Sequence, residues 1–198
     1  MVWNDYIPAE LSSLYEVHDY RHAAALLSCE FPELFEDICA ALLRFRFRLS
    51  DVTEKGGNES NIPKRMSSLL RPLGWKEDKL TAKLMVGEDI KSQDTHKVDY
   101  IKGRVAFDLE WNSKDQTFDR DLFAFKTFFE FDRISLGVLV TRSTALGPWL
   151  KGLGPEIGTK YGASTTHMGK LLPRLEAGRS GGCPVLVFGI TKSLLEVS

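Results

Sequence analysis

Cysteine is scarce: Cys29, Cys39 and Cys183 are the only three in 198 residues, scattered and odd in number. No Cys-x-x-Cys pair exists, which excludes a structural zinc site of that type, and the scatter fits a reducing cytoplasm. No apolar run approaches the ~18 residues of a bilayer span. The opening MVWNDYIPAE lacks the basic-then-apolar order of an export signal. Internal repeats, low-complexity tracts and a glycine-rich phosphate loop are also missing, and no Ser-His-Asp or Cys-His set stands out. These absences set aside membrane-spanning proteins, nucleotide-binding enzymes of the phosphate-loop kind and the common covalent hydrolases.

What is present is an ordinary globular balance, 43 % hydrophobic and 27 % charged, in a length that suits one domain with a sizeable core. The net charge of −1 argues against a generic nucleic-acid binder, but its distribution is uneven. Residues 41–83 carry a net +5, residues 142–182 a net +4, and residues 108–132 between them a net −4. An acidic centre between basic flanks suits an enzyme that grips phosphates and holds cations at the point of reaction. Chance clustering on a solvated surface is the alternative.

Hydrophobic periodicity predicts a short helix at 18–28 and, after Pro32, a helix whose stripe runs Leu34, Ile38, Leu42, Phe45 and Leu49. Residues 51–61 read as a polar, mobile loop, 63–70 as a short helix ended by Pro72 and Gly74, and 75–85 as including a strand. From Arg104 to Asn112 the pattern alternates with period two. Val105, Phe107, Leu109 and Trp111 fall on one face, and Ala106, Asp108, Glu110 and Asn112 on the other, as in a half-buried strand. A helix over 119–131 follows the NSKDQ turn. The run ISLGVLVT (134–141) predicts a central strand covered on both sides. Residues 142–164 read as a glycine-rich loop, 167–177 as a helix broken at Pro173, and 185–190 as a last buried strand. Strand, helix, strand implies a parallel crossover in an α/β layer.

Asp108 and Glu110, at i and i+2 on a strand, project to one side roughly 6–7 Å apart. Asp99, nine residues earlier, reaches them if the chain turns near Lys102-Gly103. Three carboxylates that close repel one another unless a divalent cation intervenes, and hard oxygen ligands select Mg2+ or Mn2+. A D-x-E pair on a solvent-facing strand edge, with no metal role, is the competing explanation.

The stretch VDYIKGRVAFDLEWNSKDQTFDRDLFAF resembles the core of type II restriction endonucleases related to BstYI and BglII, more distantly BamHI, a variant of the PD-(D/E)-x-K nuclease motif. Here the motif reads Asp99, eight residues, then Asp108-Leu109-Glu110. SNIPKRMSSLLRPLGWKED (60–78) is similar to the family's helix and Gly-Trp-Lys stretch, and GRSGGCPVLVFGI (178–190) to its closing strand. The resemblance covers roughly residues 30–190. It implies a restriction-endonuclease-like α/β fold, a mixed central β-sheet flanked by helices, as one domain over 1–198, with a catalytic core at about 95–190 and an N-terminal helical part at about 8–72. It further implies Mg2+-dependent cleavage of double-stranded DNA at a short palindromic site by a homodimer, leaving 5′-phosphate ends. A prokaryotic cytoplasm and a cognate DNA methyltransferase in the same system go with it.

Position by position, Asp99 and Asp108 match the family's metal carboxylates. Glu110 stands where most of the superfamily has lysine and this branch has glutamine or glutamate, which leaves open the group that activates water. Asp108 is one methylene shorter than the glutamate usual in the nearest relatives. Glu36 is a candidate outer metal residue, and Asp78 lies near a position that is asparagine in one relative. Lys114 matches a loop lysine able to donate to guanine O6 and N7 in the major groove, with Asn112 and Ser113 as neighbours. Thr165, Thr166 and His167 resemble a base-contacting loop. His96, Arg142, Lys160 and Lys170 are candidate phosphate contacts. A repair or structure-specific nuclease of the same fold, and a DNA-binding module without catalysis, remain as alternatives.

Overall fold

The computed structural model describes residues 5–54, 60–86 and 89–196, and for 80–86 and 89–96 the description is of the backbone. Chain order is α1 (Ala9–Leu14), β1 (Tyr15–Tyr20), α2 (Ala23–Glu30), α3 (Pro32–Arg44), α4 (Leu49–Thr53), α5 (Asn61–Leu70), β2 (Lys76–Val86), β3 (Asp89–Lys102), β4 (Val105–Glu110), α6 (Thr117–Glu130), β5 (Leu136–Arg142), α7 (Leu146–Gly152), α8 (Pro155–Lys160), α9 (Met168–Glu176) and β6 (Val185–Ile190). The strands form one mixed sheet in the order β1-β6-β5-β4-β3-β2. β4, β5 and β6 run parallel at its centre, while β1, β3 and β2 pair antiparallel on the flanks. The sheet is thus the mixed α/β arrangement expected, with β4–α6–β5 as its crossover.

The apolar run of β5 is buried at every residue, as a central strand requires. Helix α6 lies close on it: a Cβ at Gly137 would stand 2.5 Å from the Phe125 ring, so that helix-sheet contact depends on glycine. The alternation of β4 sorts its side chains into two cores. Val105, Phe107, Leu109 and Trp111 join Ile38, Leu42, Met66 and Trp75 on one side of the sheet. Ala106 joins Phe118, Leu122, Phe125 and Leu139 beneath α6 on the other. Both faces are therefore covered, and β4 is wholly buried rather than half-buried.

Several other expectations are corrected. Residues 18–20 end strand β1, because 15–20 pair with β6 at the sheet edge; the predicted helix starts only at Ala23, after left-handed Arg21 and His22. The N-terminal part is therefore not purely helical. Helix α3 stops at Arg44, and Phe45 and Phe47 are buried from extended chain instead. Residues 51–53 belong to α4, where the Asp51 carboxylate accepts the Arg48 backbone N–H at 2.7 Å, so only part of the predicted loop is loop; 55–59 lie outside the described residues. The glycine-rich 142–164 segment holds α7 and α8, seven and six residues long. Helices that short are unstable alone; burial of Leu146 and Leu150 secures α7. Helix α9 runs through Pro173 unbroken, anchored by buried Met168, Leu171 and Leu175.

Candidate active site

β3 and β4 form a hairpin that turns at Gly103, whose φ of 54° is left-handed. Its register pairs Tyr100 with Phe107 and Ile101 with Ala106, so Asp99 falls opposite Asp108. There the ladder changes character. The Asp99 backbone N–H donates to Asp108 Oδ1 at 2.6 Å, and the Leu109 N–H donates to Asp99 Oδ2 at 3.5 Å. Side-chain carboxylates have replaced backbone carbonyls as acceptors, and the two acids are locked together at the strand end. Asp99 thus stands against Asp108, and its charge also acts on Glu110.

Asp108 is 3 % exposed and Glu110 8 %. Asp108 Oδ2 is buried with no hydrogen-bond partner among the described residues. Helix α6 brings a further carboxylate, Asp121, 4 % exposed and also with an unpartnered buried oxygen. Arg120 is the neighbouring cation, 3.7 Å from Glu110 and 3.5 Å from Asp121. Burial, then the charges of Asp121 and Asp99, push the Asp108 carboxyl well above the usual range. Burial also raises Glu110, against the opposing hydrogen bond from Ser113 and the Arg120 charge. Asp121 is pushed up to about 8 by burial and then by Glu110.

This is an excess of buried negative charge with too few cations. Among the described residues no group of three or more His, Cys, Asp or Glu side chains is set so as to hold a metal ion. The donor set nonetheless fits a hard divalent cation, because it consists of carboxylate oxygens, contains no sulfur or imidazole, and leaves one Asp108 oxygen unused.

Asp99 and Glu110 open onto a cleft of about 840 Å³, and Asp108 lies behind them. Lys64 of α5 and Arg71 just after it form one wall, and Lys160 and Tyr161 contribute another. Asn112 and Ser113 line the cleft just past the acids. Their loop pairs with the segment before α9: the Thr166 N–H donates to Ser113 O at 2.9 Å, the Asp115 N–H to Ser164 O at 3.0 Å, and Lys114 bridges Thr165. The two predicted base-reading groups, Asn112–Lys114 and Thr165–His167, are thus brought side by side. Lys114 is exposed, whereas Thr165 and Thr166 are buried. Asn112 Oδ1, Thr166 Oγ1 and His167 Nδ1 are buried without partners among the described residues, and burial lowers the His167 pKa.

Arg142 is placed differently from the exposed phosphate contact expected. It is 2 % exposed, and its guanidinium donates to Trp111 O at 2.8 Å, Thr166 O at 3.0 Å and Thr165 Oγ1 at 2.5 Å. It also stacks on Tyr161, 5.0 Å from the ring centre. Lys160 likewise is engaged within the protein, donating to Val52 O and Glu54 O at 2.9 and 2.7 Å. Lys170 stands 3.6 Å from Asp115. Asp78 turns away from the cleft to pair with Arg133 at 3.1 Å, and its neighbour Glu77 is the residue that lines the cleft. Glu36 is exposed on α3 and is not among the charges that act on the buried acids. The side chain of His96 lies outside the described residues.

Sequence reasoning missed Asp121 and Glu77. A signal for Asp121 was available, since it sits inside the α6 stripe Phe118, Leu122 and Phe125, at the i+3 position from Phe118, where an apolar residue belongs. For Glu77 strand alternation was the signal, because Glu77 and Asp78 cannot share a face.

A parallel-centred sheet with carboxylates beside a polar cleft is an arrangement compatible with phosphodiester hydrolysis. The family model described as Restriction endonuclease BglII/BglIII matches residues 15–190, from the first residue of β1 to the last of β6. The chain belongs to this family and is a type II restriction endonuclease, a DNA-binding phosphodiester hydrolase. Comparison with curated proteins gives no match. Among the described residues no helix is long and apolar enough to cross a membrane.

Proposed function

We propose that this endonuclease cuts double-stranded DNA at a short palindromic site with Mg2+, or Mn2+ in its place, and leaves 5′-phosphate and 3′-hydroxyl ends. The observation that carries this reading is the buried, unpartnered Asp108 Oδ2, held against Asp99 and just behind the cleft that Asp99 and Glu110 line. A divalent ion held there would lower the pKa of a bound water and offset charge on the phosphodiester.

Asp99 and Asp108 hold the ion in this reading, and Glu110 holds it or orients the attacking water. The Asp99 N–H fixes one Asp108 oxygen and leaves the other for the ion. Lys114, exposed in its loop, offers its ammonium to guanine O6 and N7, with Asn112, Ser113, Thr165, Thr166 and His167 completing the reading surface. Arg142 acts through these residues, tying both segments to the end of β5. A palindromic site calls for two copies related by a twofold axis, each cutting one strand. Phe123 and Phe131, 38 % and 47 % exposed on and just after α6, support a homodimer. The enzyme would act as one domain in a prokaryotic cytoplasm, with a cognate DNA methyltransferase in the same system.

The test is incubation of the purified chain with plasmid DNA and Mg2+, followed by sequencing of the ends. Discrete bands that vanish in EDTA, with one palindrome at every 5′-phosphorylated cut, are expected. A smear would point to a nuclease of the same fold with another task. Intact DNA in both Mg2+ and Mn2+ would overturn the reading.

A further inference from the structure

Helix α5 has two sharply different faces. Ile62, Met66 and Leu70 are fully buried, and Arg65 donates to the buried Asp51 carboxylate at 2.8 and 3.3 Å. These contacts fix the helix rigidly against α4 and the core. The opposite face carries Lys64, Ser67 and Ser68, and the flanking Ser60 and Arg71 extend it at helical spacing into a stripe that is polar or basic throughout. That stripe forms one wall of the cleft into which Asp99 and Glu110 open. It continues outward, since Lys64, Ser67 and Arg71 also line a second hollow that runs past Ser68 to Pro72. Arg71 is held in place: its Nε donates to Ser67 Oγ at 2.8 Å, and its guanidinium lies 5.8 Å from the centre of the Tyr100 ring, next in sequence to Asp99.

Resting on the nuclease reading, we infer that this face of α5 is a sequence-independent track for the DNA strand being cut, with Lys64 and Arg71 on separate backbone phosphates of one strand, leading away from the acids. The chemistry matches. The acid cluster repels a polyanion, and an adjoining wall of cations and hydroxyl groups attracts one. The dimensions match as well. Lys64 and Arg71 are seven residues apart, about 10 Å along a helix at 1.5 Å per residue, or about three phosphates of one strand at 3.4 Å each measured along the duplex axis. Phosphate contacts of this kind set the register of the duplex and carry no base preference.

The experiment measures binding of a labelled duplex containing the sequence that the wild-type chain cuts, and of an unrelated duplex, with Ca2+ replacing Mg2+ to hold back cleavage. Kd is followed from about 50 to about 200 mM salt. Removing one phosphate contact should lower the slope of log K against log salt by about 0.9. Over that fourfold range, K64A and R71A should each lose about threefold less affinity than the wild type does, equally on both duplexes. K64R should restore the wild-type slope, and Lys192→Ala, exposed beyond β6, should leave it unchanged. Thermal melts verify folding. Wild-type slopes in both K64A and R71A, beside a wild type that cuts, overturn this inference alone, as does a loss confined to the cut sequence. A wild type that neither cuts nor retains DNA overturns the nuclease reading and this inference with it.

Discussion

β4 and β5 lie side by side, parallel, and are buried at every residue, yet they treat polar groups in opposite ways. On β5, Thr141 donates its hydroxyl to Glu110 O at 2.7 Å, and Arg142 places its guanidinium against three oxygens. The Arg142 pKa is lowered to about 10 by burial, but its Nε and one terminal nitrogen donate to protein oxygens. On β4, Asp108 keeps an oxygen with no partner, and its neighbours are mostly other acids. A buried polar group left unsatisfied costs about 1–3 kcal/mol, and more when charged. A fold that satisfies one strand and leaves the adjacent one unsatisfied directs the test for chemistry to the second.

Substitutions can break that contrast from either side. The largest effect is expected from Asp108→Asn, which keeps the shape and removes the charge: plasmid cleavage with Mg2+ should fall by about 10³-fold or more, while the melting curve shows a folded protein. Cleavage within tenfold of wild type would remove Asp108 from the mechanism. Next is Arg142→Ala on the satisfied strand. It strands the carbonyls of Trp111 and Thr166 and should lower stability by about 3 kcal/mol in urea unfolding. It should also weaken cutting, because both loops beside the acids lose their common tie.

Asp121→Asn sharpens the contrast through pH. A carboxyl whose folded pKa is raised keeps a proton that the unfolded chain releases, so stability is present below the unfolded value and is lost as pH climbs through the folded one. For Asp121 that window runs from about 4, the model-peptide value, to about 8. In EDTA, the wild-type Tm should fall between pH 5 and pH 8.5. In Asp121→Asn the fall should be smaller, and Mg2+ should raise Tm less at the upper end. An unchanged pH slope would show that Asp121 is not held protonated. The smallest effect is expected from Thr141→Val, which removes one buried hydrogen bond and should cost about 1 kcal/mol in the same urea assay, with cleavage kept.

The parts of the fold visible in the residues were those where one strand or helix carries its own pattern. The β4 alternation, the unbroken β5 run and the Pro-led α3 all survived because each buries a contiguous stripe. β1 was invisible: YEVHDY is a strand through its pairing with β6, some 170 residues later in the chain. The short helices α7 and α8 were hidden by glycines, and α7 stands through tertiary burial of Leu146 and Leu150. At the site, the D-x-E spacing revealed Asp108 and Glu110, and the Lys102-Gly103 turn brought in Asp99. Asp121 was passed over because a helical stripe was read for its apolar members, and Arg142 was given to the surface because arginine is usually there.

By itself the sequence determined which side of β4 carries acid and which carries oil, since a pleated strand sends successive side chains to opposite faces whatever surrounds it. Tertiary structure alone decided how dry the acid side would be, which helix would add another carboxylate to it, and which arginine would be enclosed. Those outcomes depend on groups far apart in the chain meeting in one low-dielectric space, where the cost of an unpaired charge is set by its neighbours rather than by its own residue type.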